Sequence, residues 1–191
     1  MMLITHTSSL LSAALIQILN NHNFNYLVIT DNDPTWKPPT NWRTKAHLPP
    51  TPLPDWFERN EQELEFAFCL DTTDNQTEDS YFQTLWQQCV DHQVPLIFRT
   101  TAARSAWVAE QSSAPFFWAG LRTSSFGTAN GEGTPSPSDN FSEKLPETMA
   151  TRGNHSPTYA RDVAQAAYFL VHHRQHSGEF AVDNSQAHSF K

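Results

Sequence analysis

The residues best placed to do chemistry stand where apolar runs end. Thr5, His6, Ser8 and Ser9 follow the first run in "MLITHTSSLL", and Asp31 and Asn32 follow a second in "LVITDND". The first amides of a helix have no partner within it, so the backbone of Ser8, Ser9, Leu10 and Leu11 at such a start can hold a phosphate or another anion. A carboxylate at the end of the next strand can accept a hydrogen bond from a ribose hydroxyl. These groups have the make-up of a nucleotide site. The plainer reading of the same residues is a turn, a helix cap and a solvated loop acid. No glycine precedes Gly120, although a dinucleotide-binding turn uses glycines to bend tightly and to let phosphates approach the backbone.

Further along, Thr100 and Thr101 close the run "VPLIFRTT" and offer hydroxyls at a strand end. His172, His173 and His176 include an i, i+4 pair of the kind metal sites use, but no convergent ligand set accompanies them, and cations in a last helical turn also suit the helix dipole. Cys69 and Cys89 lack the short spacing of a zinc pair and read as buried thiols, so no metal site is expected. Glu58, Glu61, Glu63 and Glu65, and likewise Asp71, Asp74, Glu78 and Asp79, lack the glycine-bearing pattern of a calcium loop and read as solvated faces. "LPPTPLPDW" has the composition of a stiff surface connection or a polyproline ligand.

These groups require elements to carry them. Residues 2–5 predict a strand, Ser8 or Ser9 a cap, and Leu11, Ala14, Leu15, Ile18 and Leu19 the apolar face of a helix ended by residues 21–25. Residues 26–30 predict a second strand, parallel to the first through that helix. The Pro-rich connection 34–54 predicts neither helix nor interior strand. Strands follow at 64–70, at "VPLIFRTT", near 116–123 and at "GEFAVD", with helices over about 80–92 and over "VAQAAYFLVHH", the latter opened by Asp162 and Gln165 and stopped by Ser177 and Gly178. Gly, Pro, Ser, Thr and Asn dominate residues 127–157, which predicts a flexible loop. The sum is an α/β three-layer, Rossmann-like domain over 1–191 with a mostly parallel sheet of about six strands and about three helices.

Composition narrows the function. The 191 residues are 38% hydrophobic and 12% aromatic, enough for one core, and the formal charge of −8 comes without a Lys/Arg cluster to meet a phosphate backbone. Nucleic acid is not an expected partner. The N-terminal apolar run has no basic leader and is too short for a bilayer, so no membrane span is expected and a cytoplasmic location follows. The sequons at Asn75, Asn140 and Asn154 then carry no consequence.

The order of these stretches resembles the extended short-chain dehydrogenase/reductase family, and within it is most similar to the ADP-glyceromanno-heptose epimerase branch of nucleotide-sugar epimerases. Carrying the resemblance are "LITHTSSLLSAALIQILN" with "LVITDND", "LDTTDNQTED", "LWQQCVDHQVPLIFRTTAARSAW", "WAGLRTSSFG", and "TYARDVAQAAYFL" with "SGEFAVDNSQAHSF". It implies NAD or NADP as cofactor, a nucleotide-sugar as ligand, and pairing with a second copy or a complete homologue, for which the helix 80–92 offers a surface. Thr5, His6, Ser8, Ser9, Leu10, Leu11, Asp31 and Asn32 stand where the family binds its cofactor. Thr100 or Thr101 stands where its catalytic Ser/Thr lies. Arg122 and Asp162 fall in matching stretches, with pairing and capping as their plain roles.

The same comparison implies lost chemistry. The three glycines of the family's first turn fall on His6, Ser9 and Ser12, and a side chain at the first fills space that phosphates would use. The family's acid/base pair is Tyr-x-x-x-Lys, in which the lysine lowers the tyrosine pKa. None of Tyr26, Tyr81, Tyr159 and Tyr168 has a lysine four residues on. The short span from Trp107 to Trp118 implies that the catalytic helix is missing, and the end after "SQAHSF" implies a shortened substrate lobe. The leading expectation is a non-catalytic relative kept for binding or association, or eroded. An NAD(P)-dependent epimerase and a nucleotide-sensing module are the alternatives.

Overall fold

The computed structural model describes residues 1–48, 53–71, 76–111, 116–123 and 160–182, with the side chains of 76–79 excepted. The predicted loop 127–157, Tyr159, the asparagines of the three sequons, Asp74, the side chains of Glu78 and Asp79, and "SQAHSF" lie outside the described residues. Seven strands are β1 (Met2–Thr5), β2 (Leu27–Thr30), β3 (Ala46–Leu48), β4 (Phe66–Cys69), β5 (Leu96–Arg99), β6 (Trp118–Thr123) and β7 (Gly178–Val182). Five helices are α1 (Leu10–Asn21), α2 (Leu53–Asn60), α3 (Gln76–Asp91), α4 (Ala102–Glu110) and α5 (Ala160–His172). All strands pair in parallel, in the order β3-β2-β1-β4-β5-β6-β7.

Strands β1, β2 and β4 are buried at every residue, which is why they read as continuous apolar runs and not as alternating ones. Alternation persists in where the side chains go. Met2 and Ile4 pack with Leu11 and Leu15 of α1 and with Val163 and Ala167 of α5. Leu3 joins Phe57 of α2, Phe82 and Trp86 of α3, and Val108 of α4 on the other face. The sheet is thus the middle of three layers.

Several expectations need correction. There are seven described strands and five helices because two crossovers were hidden. The Pro-rich connection contains β3 and the start of α2. β3 is an edge strand with no proline inside it, and Pro54 is the second residue of α2, where its missing N–H has no acceptor to serve. Part of the connection is also fixed to the core. The Asn20 side chain donates to Arg43 O and accepts from Arg43 N, both at 2.9 Å, and Trp42 is buried against the α1 face. The crossover from β5 to β6 contains a helix that was not expected, α4, which ends at Glu110 and carries no tyrosine. Its sequence "AARSAWVAE" lacks long apolar periodicity but is rich in strong helix formers and capped by Thr101.

Helix α5 begins at Ala160, so Asp162 lies within its first turn and does not cap it. It also ends at His172, so His172 and His176 do not share a helical face. His173 instead stacks on Phe169, with ring centroids 3.8 Å apart. Helix α3 starts before the expected residue 80.

Candidate functional site

In this strand order the connection from β1 runs to one side through α1 and that from β4 to the other through α3, which leaves a crevice beyond the carboxyl ends of β1 and β4. Such switch points are where open α/β sheets bind ligands. Here the predicted residues Thr5, His6, Ser8, Ser9, Asp31 and Asn32 stand at and just beyond the ends of β1 and β2, and they are engaged with one another or with the neighbouring backbone.

His6 leaves β1 with φ +52°, the left-handed conformation that a glycine would adopt without strain. For a residue with a Cβ this conformation costs about 1 to 2 kcal/mol. Several contacts hold it. Thr5 Oγ1 lies 3.1 Å from His6 Nδ1 and donates to Phe68 O at 3.1 Å, so the ring N–H points at the threonine oxygen. Asn32 Nδ2 is 3.0 Å from His6 Nε2, and Tyr81 meets the imidazole edge-on at 5.1 Å between centroids. Burial lowers the His6 pKa; Asp71 works against that shift and Arg104 with it, so the ring is neutral at pH 7. Burial likewise raises the Tyr81 phenol far above its ordinary value, which keeps it protonated.

Asp31 is buried and both its oxygens are taken by backbone. Oδ2 accepts from Ser8 N at 2.6 Å and Oδ1 from Asp33 N at 3.0 Å. Ser9 caps α1 by accepting from Ser12 N at 3.1 Å, and its hydroxyl donates to Leu70 O at 2.5 Å. Ser12, at another motif-glycine position, donates to Thr5 O at 3.0 Å and so ties helix to strand through a side chain. Leu11 is buried in the core, while Leu10 is half-buried on the first turn.

Thr100 and Thr101 are placed for structure. The Thr100 hydroxyl donates to Leu121 O at 3.2 Å, and Thr101 caps α4 by accepting from Arg104 N at 3.2 Å. Arg122 is exposed on β6.

Three residues at this crevice were not read from the sequence as site residues. Asp71 is not a solvated acid: it is 2% exposed and forms a two-pronged pair with Arg104, at 2.7 Å for each prong. Arg104 also donates to Arg99 O and lies over the Phe82 ring, 4.7 Å from its centroid. Cys69 is fully buried, with Sγ 3.8 Å from His6 Nδ1. Asp71 follows an apolar run just as Asp31 does, and that shared position was the available signal. Arg104 gave none, because nothing local distinguishes a buried arginine from an exposed one on a short helix.

No protein-family model matches the sequence, and no curated protein matches it in sequence. Solved structures do match in shape. The ADP-L-glycero-D-manno-heptose-6-epimerase of Helicobacter pylori aligns with 97% of this chain and 77% of its own, at 17% identity and a TM-score of 0.60. A wide-type short-chain dehydrogenase/reductase from Veillonella parvula, solved with NADP, aligns with 98% of this chain and 95% of its own, at 12% identity and a TM-score of 0.64. The chain has the extended short-chain dehydrogenase/reductase fold. A third structure of this fold, the UDP-N-acetylglucosamine 4-epimerase of Methanobrevibacter ruminantium with UDP-N-acetylmuramic acid, aligns with 95% of this chain and 76% of its own, at 15% identity and a TM-score of 0.62.

In the extended short-chain dehydrogenase/reductase fold, the β1 to α1 turn and the end of β2 are the elements that would hold a dinucleotide. In this chain they carry His6, Ser8, Ser9 and Asp31, with Ser8 N bonded to the Asp31 carboxylate. No helix among the described residues is long and apolar enough to cross a membrane.

Proposed function

We propose that this protein is a non-catalytic relative of the nucleotide-sugar epimerases, with the fold kept as a binding or association module and without NAD(P)-dependent turnover. The observation that carries the reading is the state of Asp31: the carboxylate positioned for a ribose is buried, and each of its oxygens already accepts a backbone amide, from Ser8 and from Asp33. His6 beside it occupies the turn with a neutral ring held by Thr5 and Asn32. The sequence supports the same reading, since no tyrosine is followed by a lysine four residues on. A cytoplasmic setting is part of the proposal, because Cys69 and Cys89 are both buried and neither forms a disulfide.

A second reading, nucleotide sensing, draws on the φ of His6, because the loop keeps the backbone turn that a phosphate-binding loop needs. Association through α3 would use an outward face of Gln83, Thr84, Gln87 and Asp91, which offers hydrogen bonds and no apolar stripe. One screen separates these readings: calorimetry and thermal shift of the purified protein with NAD(H), NADP(H), ADP-sugars and UDP-sugars, with epimerase turnover assayed in parallel. We expect neither heat nor shift nor turnover. A nucleotide-induced shift lost in Asp31→Ala would establish the sensor, and turnover sensitive to Thr101→Ala or Asp31→Ala would overturn the proposal.

A further inference from the structure

The crevice brings together three side chains of a kind that transition metals bind. His6 follows β1, Cys69 ends β4 and Asp71 lies two residues on, so the parallel pairing of β1 with β4 sets them side by side. One atom from each, an imidazole nitrogen, the thiol sulfur and a carboxylate oxygen, lies within 4.8 Å of the other two, and all three residues are buried. We infer that His6, Cys69 and Asp71 form a binding site for a thiophilic divalent cation of the zinc type.

The chemistry favours that class of ion. A nitrogen, a sulfur and an oxygen donor make a mixed set that zinc accepts in tetrahedral geometry, at about 2.0 to 2.3 Å from each, whereas calcium and magnesium prefer oxygen alone. At those lengths a nitrogen and a sulfur on one ion stand about 3.5 Å apart, and the 3.8 Å between His6 Nδ1 and Cys69 Sγ is near that value. Closing the remaining separation requires the Asp71 carboxylate to move toward the other two together with the Arg104 guanidinium paired to it. Three protein ligands leave a fourth position for water or an external group.

The surroundings supply what ligands need behind them. Arg104 fixes both Asp71 oxygens, and each carboxylate oxygen retains a second lone pair for an ion. Asn32 addresses His6 Nε2. Nδ1 now faces Thr5 Oγ1, so to take the metal there the imidazole swings from the threonine toward Cys69; the ring proton moves to Nε2 and the Asn32 amide turns to present its oxygen, an outer contact of the type that orients metal-bound imidazoles. The Cys69 proton is released to solvent as the thiolate forms. Charge then balances: a divalent cation and Arg104 offset the Cys69 thiolate, Asp71 and Asp31.

This inference concerns the same crevice as the proposed function but does not depend on it, since metal titration and nucleotide screening can fail independently. The test is titration of metal-free protein with Co2+, read by optical absorption. We expect one equivalent to bind with a near-ultraviolet thiolate-to-cobalt charge-transfer band, displaced by Zn2+. The band should vanish in Cys69→Ser and persist in Cys89→Ser, which alters the other buried thiol. If Cys69→Ser does not fold, the unaltered protein still decides the matter: Zn2+ should raise its Tm and slow alkylation of Cys69, located by peptide mapping. Absence of the band and of any Zn2+ effect on Tm or alkylation would overturn the site. So would a band that survives in folded Cys69→Ser, or visible cobalt bands without the thiolate band, which would put the ion on nitrogen ligands such as exposed His172, His173 and His176.

Discussion

At the scale of single residues, the crevice is governed by groups that cannot be left without their partners. The Asp71 and Arg104 pair is buried on both sides, at 2% and 1% side-chain exposure. Removing only the cation strands a carboxylate away from water. Arg104→Met should therefore destabilise the protein by about 3 to 5 kcal/mol, while the double change Arg104→Met with Asp71→Leu should recover most of that loss; urea unfolding of the two variants makes the comparison. A second prediction concerns Gly120, where strand β6 passes close to β5. A Cβ built there would stand 2.5 Å from Thr100 Cγ2 and 3.2 Å from Phe98 Cζ. Gly120→Ala should cost about 1 to 3 kcal/mol through overpacking. Thr100→Ser removes the clashing methyl and keeps the hydroxyl that bonds Leu121 O, so the paired variant should regain stability in chemical denaturation. A double variant no more stable than Gly120→Ala would show that Phe98 is the obstacle.

At the scale of elements, one side chain organises a segment that its composition describes as a connection. Asn20, on α1, holds Arg43 by two backbone contacts, and the Arg43 side chain donates back to Asn20 O. Asn20→Ala should cost about 1 to 3 kcal/mol, the penalty for leaving those partners unmet. It should also speed proteolytic cleavage between Asp31 and Lys45, seen by timed digestion and mass spectrometry, with less change in the central strands. Legibility in the sequence followed the same physics. β1, β2 and β4, and β5 up to Arg99, were readable because strands buried on both faces are apolar runs. α1 was readable because Ser9 caps a periodic apolar face. β3, α2 and α4 were not: three residues on an edge, a short helix with proline at its second residue, and a nine-residue helix whose apolar residues are mostly alanine leave no periodic signal. In the site, the turn residues, Asp31 and Asn32 were readable from their places at strand ends. Cys69, Asp71 and Arg104 gain their surroundings from strand pairing and crossover, and those relations are not local.

At the scale of the whole molecule, the parallel sheet grades from a sheathed centre to thin edges. β1, β4 and β5 lie between other strands and carry the two apolar layers, whereas β3 and β7 are only partly buried at the two ends of the order. Native-state hydrogen exchange should accordingly be slowest in β1, β4 and β5, approaching the global unfolding free energy, and markedly faster in β3 and β7. Equal protection across all seven strands would contradict this gradient. The clamp of Asp31 on Ser8 also has a kinetic meaning. A ligand seeking those amides competes with a carboxylate already in place, so association would wait for the loop to open. Its observed rate would level off with ligand concentration at the opening rate, and its apparent affinity would be reduced by the fraction of molecules that are closed. The first turn would then behave as a gate whose latch is part of the chain.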